Sequence, residues 1–358
     1  MSGRSVSIDI IGRGNIGEAH AKLLSSGAID RAQLATSSEH ADAVLIATPT
    51  MSHVEIGLQA FDRGLHVLME KPLAMSVRQA QTLLAAAPPS RCFAVMLNQR
   101  FHAAYVKIKQ VLDAGRLGAL RRFAWNMTTW YRPDVYYRVS RWRGTWPGEG
   151  GGLLINQCIH NLDVLQWLVG MPREVYAIAG FGKYHEIDVE DEVTATLVFE
   201  HGLTGTVTAS SGEAPGINQF YLVGDLGTLR FDGETIRCWT SDTSVAAHCA
   251  QTRDMFGMPA FTEEDIVPAA AVNQHGAVIQ NFVDAILDGA PLATPASAGV
   301  ASIELANAML MSAWRGAPVS MPLDADAYEA ALQARIEASS LRTPEKIEAN
   351  IDMEKSYR

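Results

Sequence analysis

Residues 6–17 limit what this chain can fold into more than any other stretch. An apolar, β-branched run at residues 6–11 leads directly into Gly-Arg-Gly-Asn-Ile-Gly at residues 12–17. Apolar residues then recur at helical spacing as far as Leu24, which predicts an amphipathic helix that begins inside the glycine turn. A strand, a glycine turn and a helix in this order are typical of a βαβ unit that binds a dinucleotide.

Each glycine of this motif has a steric reason. The first allows the tight turn, the second lets the backbone approach a pyrophosphate, and the third permits close packing of the helix on the strand. The helix N-terminus adds amide donors and a positive dipole. The residues predicted to bind the phosphates of NAD or NADP are therefore Gly12, Gly14, Asn15, Ile16 and Gly17.

Strand and helix patterns alternate through the first hundred residues. Strands are predicted at 33–36, 43–47, 67–69 and 92–97, and helices at 56–65 and 77–87. This alternation predicts an α/β fold, with a doubly wound parallel Rossmann sheet as an N-terminal domain at residues 1–97.

The link between the second and third predicted strands is too short for this fold. Parallel strands need a crossover of about a dozen residues or more, yet only residues 37–42 separate the two. Either the second strand is absent, or a helix-strand unit has been deleted near 36–42, or the sequence omits a segment; we favour deletion or omission. An acid that binds the adenosine ribose is expected about 20 residues after the glycines. Asp30 is the only acid near that spacing but precedes the strand, so the sequence does not choose between NAD and NADP.

A second feature is the apolar run at 67–69, which ends in Glu70, Lys71 and Pro72. This pattern predicts a buried strand whose carboxyl end opens into a crevice, where ligands bind in open α/β sheets. A lysine in that crevice can donate a hydrogen bond to a substrate oxygen. The alternative is that Glu70 and Lys71 form an exposed ion pair after a strand.

From residue 98 the pattern changes. Alternating apolar residues joined by hairpin turns predict strands near 193–199, 203–209, 220–223 and 228–231. We predict an α+β domain at 98–325 with a mostly antiparallel open sheet, which can bury one face on its own helices and use the other for a second subunit. Residues 326–358 form a predicted C-terminal extension, whose polar part from residue 341 is expected to be a surface arm or partly ordered.

Another polar cluster follows the glycines at 150–152. At helical spacing Asn156, His160 and Asp163 share one side of a predicted helix whose other faces are mostly apolar. The glycines let another chain segment or a ligand approach closely. A single histidine on an apolar helix is usually a core residue, and this alternative stays open.

The segment at 125–146 is rich in Trp, Tyr and Arg. Aromatic faces with forked donors suit a sugar ring, which stacks while its hydroxyls or a carboxylate form hydrogen bonds. Ordinary core or subunit interface is the alternative. We expect substrate contacts from Trp142 and Arg143, because the turn after them leads to the His160 helix.

Composition excludes several classes of protein. A net charge of −10 with a pI near 5.5 gives no electrostatic footprint for nucleic acid. The four cysteines are scattered without metal-ligand spacing, so neither a disulfide framework nor a metal site is expected. No leader sequence and no membrane-spanning apolar run is present. We therefore expect a cytoplasmic protein with no membrane or nucleic-acid partner.

Together these motifs resemble the Gfo/Idh/MocA family of sugar and cyclitol oxidoreductases. The resemblance covers nearly the whole chain and rests on residues 12–17, 47–49, 70–72 and 98–101 and on the helix with His160. It implies that Lys71 and His160 are the catalytic pair, assisted by Asn156, and that the bond between Lys71 and Pro72 is cis. It also implies a homo-oligomer, a dimer or tetramer, formed through the second-domain sheet. The family commonly has aspartate at position 156. Asn156 cannot be an acid or base, although it can hydrogen-bond a substrate hydroxyl.

The expected function is that of an NAD(P)-dependent oxidoreductase. It transfers a hydride between the nicotinamide and a hydroxyl or keto group of a monosaccharide, sugar derivative or cyclitol, with His160 as general base and Lys71 stabilising the alkoxide. Asp163 is the nearest residue to orient His160. The alternatives are a glycosidase that uses bound NAD without consuming it, and a non-catalytic cofactor-binding sensor.

The remaining expected contacts fall into two sets. Beyond the glycine motif, cofactor contacts are expected from Thr48, Pro49, Thr50, His53, Glu70, Lys71, Asn98 and Arg100. Substrate contacts are expected from Lys71, Trp142, Arg143, Asn156, His160 and Asp163.

Overall fold

A computed structural model of the chain describes residues 4–347 and residue 350. Within these residues, five short and largely apolar strands form a parallel sheet, sheet A. Its strands are β1 (Val6–Ile11), β2 (Ala32–Leu34), β3 (Ala43–Ile46), β4 (His66–Met69) and β5 (Phe93–Val95). Their order across the sheet is β2-β1-β3-β4-β5.

The second sheet, sheet B, is mixed and mostly antiparallel. Its strands are β6 (Leu120–Met127), β7 (Glu174–Phe181), β8 (Glu190–Val198), β9 (Thr204–Ser210), β10 (Asn218–Gly224), β11 (Gly227–Phe231), β12 (Ile236–Thr240), β13 (Thr262–Ile266) and β14 (Val319–Ser320). Their order is β13-β12-β11-β10-β6-β9-β8-β7-β14. The β6 and β9 strands pair in parallel, and the other described pairs in this sheet are antiparallel.

The helices connect and cover these sheets. They are α1 (Asn15–Ser25), α2 (His53–Asp62), α3 (Val77–Ala86), α4 (Ala103–Asp113), α5 (Asp134–Arg138), α6 (Trp146–Glu149), α7 (Leu153–Asn156), α8 (Ile159–Val169), α9 (Val245–Gln251), α10 (Gln274–Asp288), α11 (Ala296–Arg315) and α12 (Ala325–Ala338).

Sheet A buries both faces, as expected for a doubly wound sheet. Ile8 and Leu45 point toward α1 and α10, where they join Phe282 in one apolar cluster. Val67 and Met69 point the other way, into a cluster with α2, α3 and α11. Each fully buried aliphatic or aromatic side chain contributes about 1.5–3 kcal/mol to folding. A late helix, α10, therefore completes the core of the N-terminal sheet.

Strand β2 exists, and the structure explains how so short a link follows it. Leu34 and Ala43 both pair with Ile8, from opposite sides of β1. Because β2 ends where β3 begins, residues 35–42 need only cross β1 and need not run back along a strand. Within the described residues this link contains a 3₁₀ turn, Ser38–His40, and no helix-strand unit.

The C-terminal residues are partly docked on the rest of the fold. Tyr328 and Leu332 of α12 are fully buried in the main core. Beyond the helix, Glu345 accepts a hydrogen bond from Arg138 Nε at 2.7 Å. The described part of the predicted surface arm thus lies along α5, and residues 348–349 and 351–358 of that arm lie outside the described residues.

The described residues were also compared with the requirements of a membrane-spanning helix and of a metal site. No helix within residues 4–347 is long and apolar enough to cross a membrane. The same residues contain no group of three or more His, Cys, Asp or Glu side chains that could hold a metal ion.

Candidate active site

The glycine turn between β1 and α1 has one open position. A Cβ on Gly12 would lie 2.6 Å from the carbonyl of Ala47, and a Cβ on Gly17 would lie 1.9 Å from the carbonyl oxygen of Gly12. A Cβ on Gly14 would meet nothing within 4 Å. Gly12 and Gly17 are therefore required by packing inside the protein, whereas Gly14 borders empty space at the start of α1. This is the space that a pyrophosphate needs.

Gly14→Val tests the cofactor assignment. Gly14 has φ −75° and ψ −173°, a conformation that valine adopts readily, so we expect the variant to fold. Its side chain would fill the open space, and NAD binding should be lost in a calorimetric titration while the melting temperature stays near that of the wild type. Ala28→Val, at an exposed position after α1, is the control and should bind NAD normally. A folded Gly14→Val with unchanged NAD affinity would overturn the assignment.

His53 braces the main chain beside this turn. Its ring nitrogens lie 2.9 Å from the carbonyl oxygens of Pro72 and Thr48, and the side chain is fully buried. The ring thus ties the end of β3 to the end of β4 and has no nitrogen left for a ligand. The expected cofactor contacts of residues 48–50 and of His53 stay predictions.

Glu70 follows β4 as a buried carboxylate. It accepts a hydrogen bond from His20 Nε2 at 2.7 Å and another from the backbone N–H of Lys71 at 3.1 Å. Burial alone would raise the pKa of Glu70, but the hydrogen bond and nearby charge of His20 outweigh it and lower the pKa to about 2. Glu70 is thus an anion beneath Lys71, and the alternative of an exposed surface pair does not hold.

Lys71 joins the two halves of the site. Its peptide bond to Pro72 is cis, as the resemblance implies. Its Nζ donates a 2.8 Å hydrogen bond to the backbone oxygen of Asn156, 85 residues later. Burial lowers the pKa of Lys71, Arg132 and Arg143 lower it further, and Glu70 and Glu149 act in the opposite sense.

The predicted helix that carries Asn156 and His160 is broken. The Cys158 N–H bonds to the oxygen of Leu153, five residues earlier, at 2.8 Å. This wide turn ends α7 at Asn156 and starts α8 at Ile159. The expectation of a single straight polar stripe is therefore wrong: Asn156 closes one helix and His160 lies in the first turn of the next.

His160 is a buried, neutral imidazole. It is 3% exposed, and among the described residues neither ring nitrogen has a hydrogen-bond partner. Burial, followed by the charge of Lys71, holds the pKa of His160 well below its usual value. The imidazole is therefore neutral near pH 7 and can accept a proton.

Asp163 does not orient His160, contrary to expectation. Its carboxylate accepts hydrogen bonds from Arg100 Nε at 2.8 Å and from a terminal Arg100 nitrogen at 2.7 Å, and others from Gln166 and Ser302. The remaining Arg100 nitrogen donates to the carbonyl of Ala293. This bidentate pair engages both side chains within the protein, and the expected cofactor contact of Arg100 and substrate contact of Asp163 stay predictions.

Sequence reasoning missed Glu149, which the structure places beside Asn156. The carboxylate is 3% exposed and accepts hydrogen bonds from Asn156 Nδ2 and, at 2.6 Å, from the Gly144 N–H. Burial raises the pKa of Glu149 to about 7, against the opposing effects of the Gly144 N–H and of Arg143. Its place directly before the glycine run was the available signal.

The glycine run itself is explained by packing within the chain. A Cβ on Gly152 would lie 2.3 Å from the backbone oxygen of Glu190. The Glu190 carboxylate accepts the N–H groups of Gly152 and Leu154 at 2.8 and 2.9 Å, and burial raises its pKa to about 7. Gly152 thus admits β8 to the start of α7, whereas Gly150 and Gly151 border Met75 and Ile155.

Some residues of the aromatic segment at 125–146 belong to the core, and others lie beside the candidate site. Trp125 is fully buried in β6 and Trp146 is buried in α6, so the core alternative holds for both. Tyr136 lies nearer the site, with its hydroxyl 3.3 Å from Asn156 Nδ2. Arg143 packs its guanidinium on the rings of Tyr136 and Trp142.

Two models of one protein family match this chain, one in the region of sheet A and the other in the region of sheet B. One, described as an oxidoreductase family with an NAD-binding Rossmann fold, matches residues 28–98, and the corresponding C-terminal domain model matches residues 105–230. The chain belongs to the Gfo/Idh/MocA family. This membership confirms the predicted fold class and the predicted NAD-binding domain of an oxidoreductase.

Curated relatives of the family match part of the chain. A scyllo-inositol 2-dehydrogenase (NAD(+)) of Bacillus subtilis is 27% identical over 47% of this chain and 48% of its own length. A 1,5-anhydro-D-fructose reductase of Ensifer adhaerens is 34% identical over 45% of this chain and 48% of its own length. The chain thus spans about half the length of these relatives.

A solved structure extends the likeness to most of the chain. The WlbA dehydrogenase of Chromobacterium violaceum, in complex with NADH and UDP-GlcNAcA, has a TM-score of 0.75 and 25% identity, covering 90% of this chain and 98% of its own. The two chains share the fold of both sheets.

Proposed function

We propose that the protein is an NAD-dependent dehydrogenase or reductase that acts on a hydroxyl or keto group of a monosaccharide, sugar derivative or cyclitol. One observation carries the proposal: both ring nitrogens of His160 are buried without a partner among the described residues, beside Lys71 and at the carboxyl edge of the sheet that holds the glycine turn. A neutral imidazole and a lysine in this position can share the proton of a substrate hydroxyl.

The described residues fit the cofactor. Gly14 leaves open space at the start of α1, where the backbone of Asn15 and Ile16 would hold the pyrophosphate. The buried Oδ1 of Asn98, after β5, has no partner among the described residues and would accept a hydrogen bond from the cofactor. When bound, the nicotinamide supplies the hydride acceptor.

The chain's own residues handle the proton and the oxygen. In oxidation a ring nitrogen of His160 takes the hydroxyl proton as the carbon is oxidised. Lys71 Nζ donates one hydrogen bond to the Asn156 carbonyl, and its other N–H groups can donate to the developing alkoxide. The lowered pKa of His160 keeps the ring neutral near pH 7, so that an unprotonated nitrogen faces the substrate, and the Lys71 cation stabilises the oxyanion.

Asn156 orients the substrate and Glu149 orients Asn156. The Asn156 amide nitrogen donates to the Glu149 carboxylate and to the Tyr136 hydroxyl. This turns its Oδ1 away from Glu149, where it can accept a substrate hydroxyl. Glu149 is therefore a positioning residue in this proposal.

Glu149→Gln tests that role through the pH profile. Because the pKa of Glu149 is raised to about 7, the carboxylate that holds Asn156 is present above that pH and is lost as pH falls through it. We expect the wild-type kcat/KM to increase as the pH rises through about 7, which gives the profile an acidic limb. Glu149→Gln cannot titrate, so it should lack this limb, and its kcat/KM at high pH should be about tenfold below that of the wild type.

Glu190→Gln is the matched control for that experiment. The pKa of Glu190 is also raised to about 7 by burial, but its carboxylate contacts backbone N–H groups, not Asn156. This variant should keep the limb. A limb that persists in Glu149→Gln and disappears in Glu190→Gln would reverse the assignment.

A substrate screen separates the proposal from its alternatives. The purified chain would be offered sugars, polyols, cyclitols and aryl glycosides with NAD and, separately, NADP. Net formation of reduced nucleotide supports the dehydrogenase. Glycoside cleavage without net reduction supports the NAD-dependent glycosidase, and tight cofactor binding without either reaction supports the sensor.

A further inference from the structure

We infer that the site contains a subsite for an anionic group of the substrate, centred on Arg143, and that the preferred substrate is a sugar or cyclitol that carries a carboxylate. This inference rests on the proposed function and narrows its substrate class.

Arg143 is held in place by rings rather than by hydrogen bonds. Its guanidinium carbon lies 4.1 Å from the centre of the Tyr136 ring and 4.9 Å from that of Trp142. Within residues 4–347 its side chain makes no hydrogen bond or ion pair, and its Nε is buried without a partner. A buried N–H without an acceptor destabilises the folded protein. A ligand that supplied an acceptor would remove this defect.

The position of Arg143 makes that ligand the substrate. The Tyr136 ring carries Arg143 on its face, while its hydroxyl contacts Asn156 Nδ2 at 3.3 Å. The guanidinium is thus separated from Asn156 by one aromatic ring. Its charge also acts on Lys71. A single small molecule could therefore present a hydroxyl to Lys71 and His160 and another group to Arg143.

The charge around this position favours an anion. Lys71, Arg132 and Arg143 are near one another, and the Arg132 guanidinium packs on the same Tyr136 ring at 5.4 Å. The carboxylates of Glu149 and Glu70 are also near, but their hydrogen bonds go to Asn156 and Gly144 and to His20, so neither one occupies the donors of Arg143.

The chemistry of arginine selects the kind of anion. A guanidinium is a planar fork of donors that matches the two oxygens of a carboxylate, and aromatic stacking fixes its plane. Hydroxyl groups of a neutral sugar can accept from the same fork, but without the charge-assisted hydrogen bonds that a carboxylate forms. Recognition should therefore discriminate an acid from its neutral counterpart.

The test compares matched substrate pairs on the NAD-bound full chain. D-glucuronate is paired with D-glucose and D-galacturonate with D-galactose, and kcat/KM is measured for each. We expect the wild type to favour the acid of at least one pair by about tenfold or more. Arg143→Met should remove most of that preference, and Arg143→Lys should restore part of it. Arg141→Met, on an exposed arginine of the same segment, should leave the preference unchanged.

Two outcomes would overturn the inference. One is a wild type that prefers the neutral sugar of both pairs, and the other is an Arg143→Met variant that keeps the preference for the acid. If no compound of either pair is oxidised, the binding of D-glucuronate and D-glucose to the NADH-bound protein is titrated. Binding of the acid that depends on Arg143 would support the subsite while the proposed reaction fails, and equal or absent binding of both would refute the subsite.

Discussion

Lys71→Met should reduce turnover on the order of 100-fold or more, the scale expected from removing one positioned charge-stabilising group. Methionine keeps roughly the same length and removes the ammonium. The variant also loses the hydrogen bond from Nζ to the Asn156 carbonyl, so the expected loss lies in kcat as well as in kcat/KM. NAD should still bind, because the open space at Gly14 is unaffected.

Lys183→Met is the control for this experiment. Lys183 is an exposed lysine of the β7–β8 connection, where it pairs with Glu192, and its replacement should leave turnover unchanged. If Lys71→Met retains activity within a few-fold of the wild type on the identified substrate, Lys71 is not part of the machinery and the proposed mechanism fails.

His160→Ala should lower kcat/KM by about 100- to 10,000-fold, the range for a general base, with little change in NAD affinity. The loss should shrink as pH rises, because solvent hydroxide can partly replace the missing base. In the wild type the pKa of His160 lies well below its usual value through burial. Its own protonation should therefore limit activity only at pH values below the limb assigned to Glu149.

The corresponding control is His248→Ala on α9, a helix of the C-terminal sheet region, which should not change kcat/KM. A His160→Ala variant with the wild-type pH profile would show that the ring is only a core side chain, the alternative that the sequence left open.

The fold was largely predictable because local patterns agree with it. Alternation along β1, glycines at a strand-helix junction and helical spacing in α1 are properties of neighbouring residues, so a sequence displays them directly. Strand β6 was missed because its alternating residues run into the aromatic segment. In the structure Trp125 contacts Phe220 of the neighbouring strand β10, with ring centres 4.5 Å apart. The short link after β2 was misjudged because pairing register with β1 is a tertiary property.

The sequence pointed to individual candidate residues of the site, but not to the hydrogen bonds and ion pairs between them. Lys71 and His160 are visible because charged and polar groups interrupt apolar runs. Arg100 and Asp163 form an ion pair although they are 63 residues apart, and no local pattern reveals such a pair. The break between α7 and α8 is marked by one hydrogen bond of unusual spacing, from Cys158 to Leu153, and Glu149 reaches Asn156 only because α6 folds back beside α7.

The proposed hydride transfer can be followed directly with an isotope. A substrate from the screen would be labelled with deuterium on the carbon that bears the reacting hydroxyl and incubated with NAD and the purified chain. The reduced nucleotide would then be analysed by mass spectrometry. We predict that one deuterium moves from the carbon to the nicotinamide in each molecule of reduced cofactor. Reduced cofactor without deuterium, or a substrate whose label is lost to water with no net reduction, would contradict a dehydrogenase that works through His160 and Lys71.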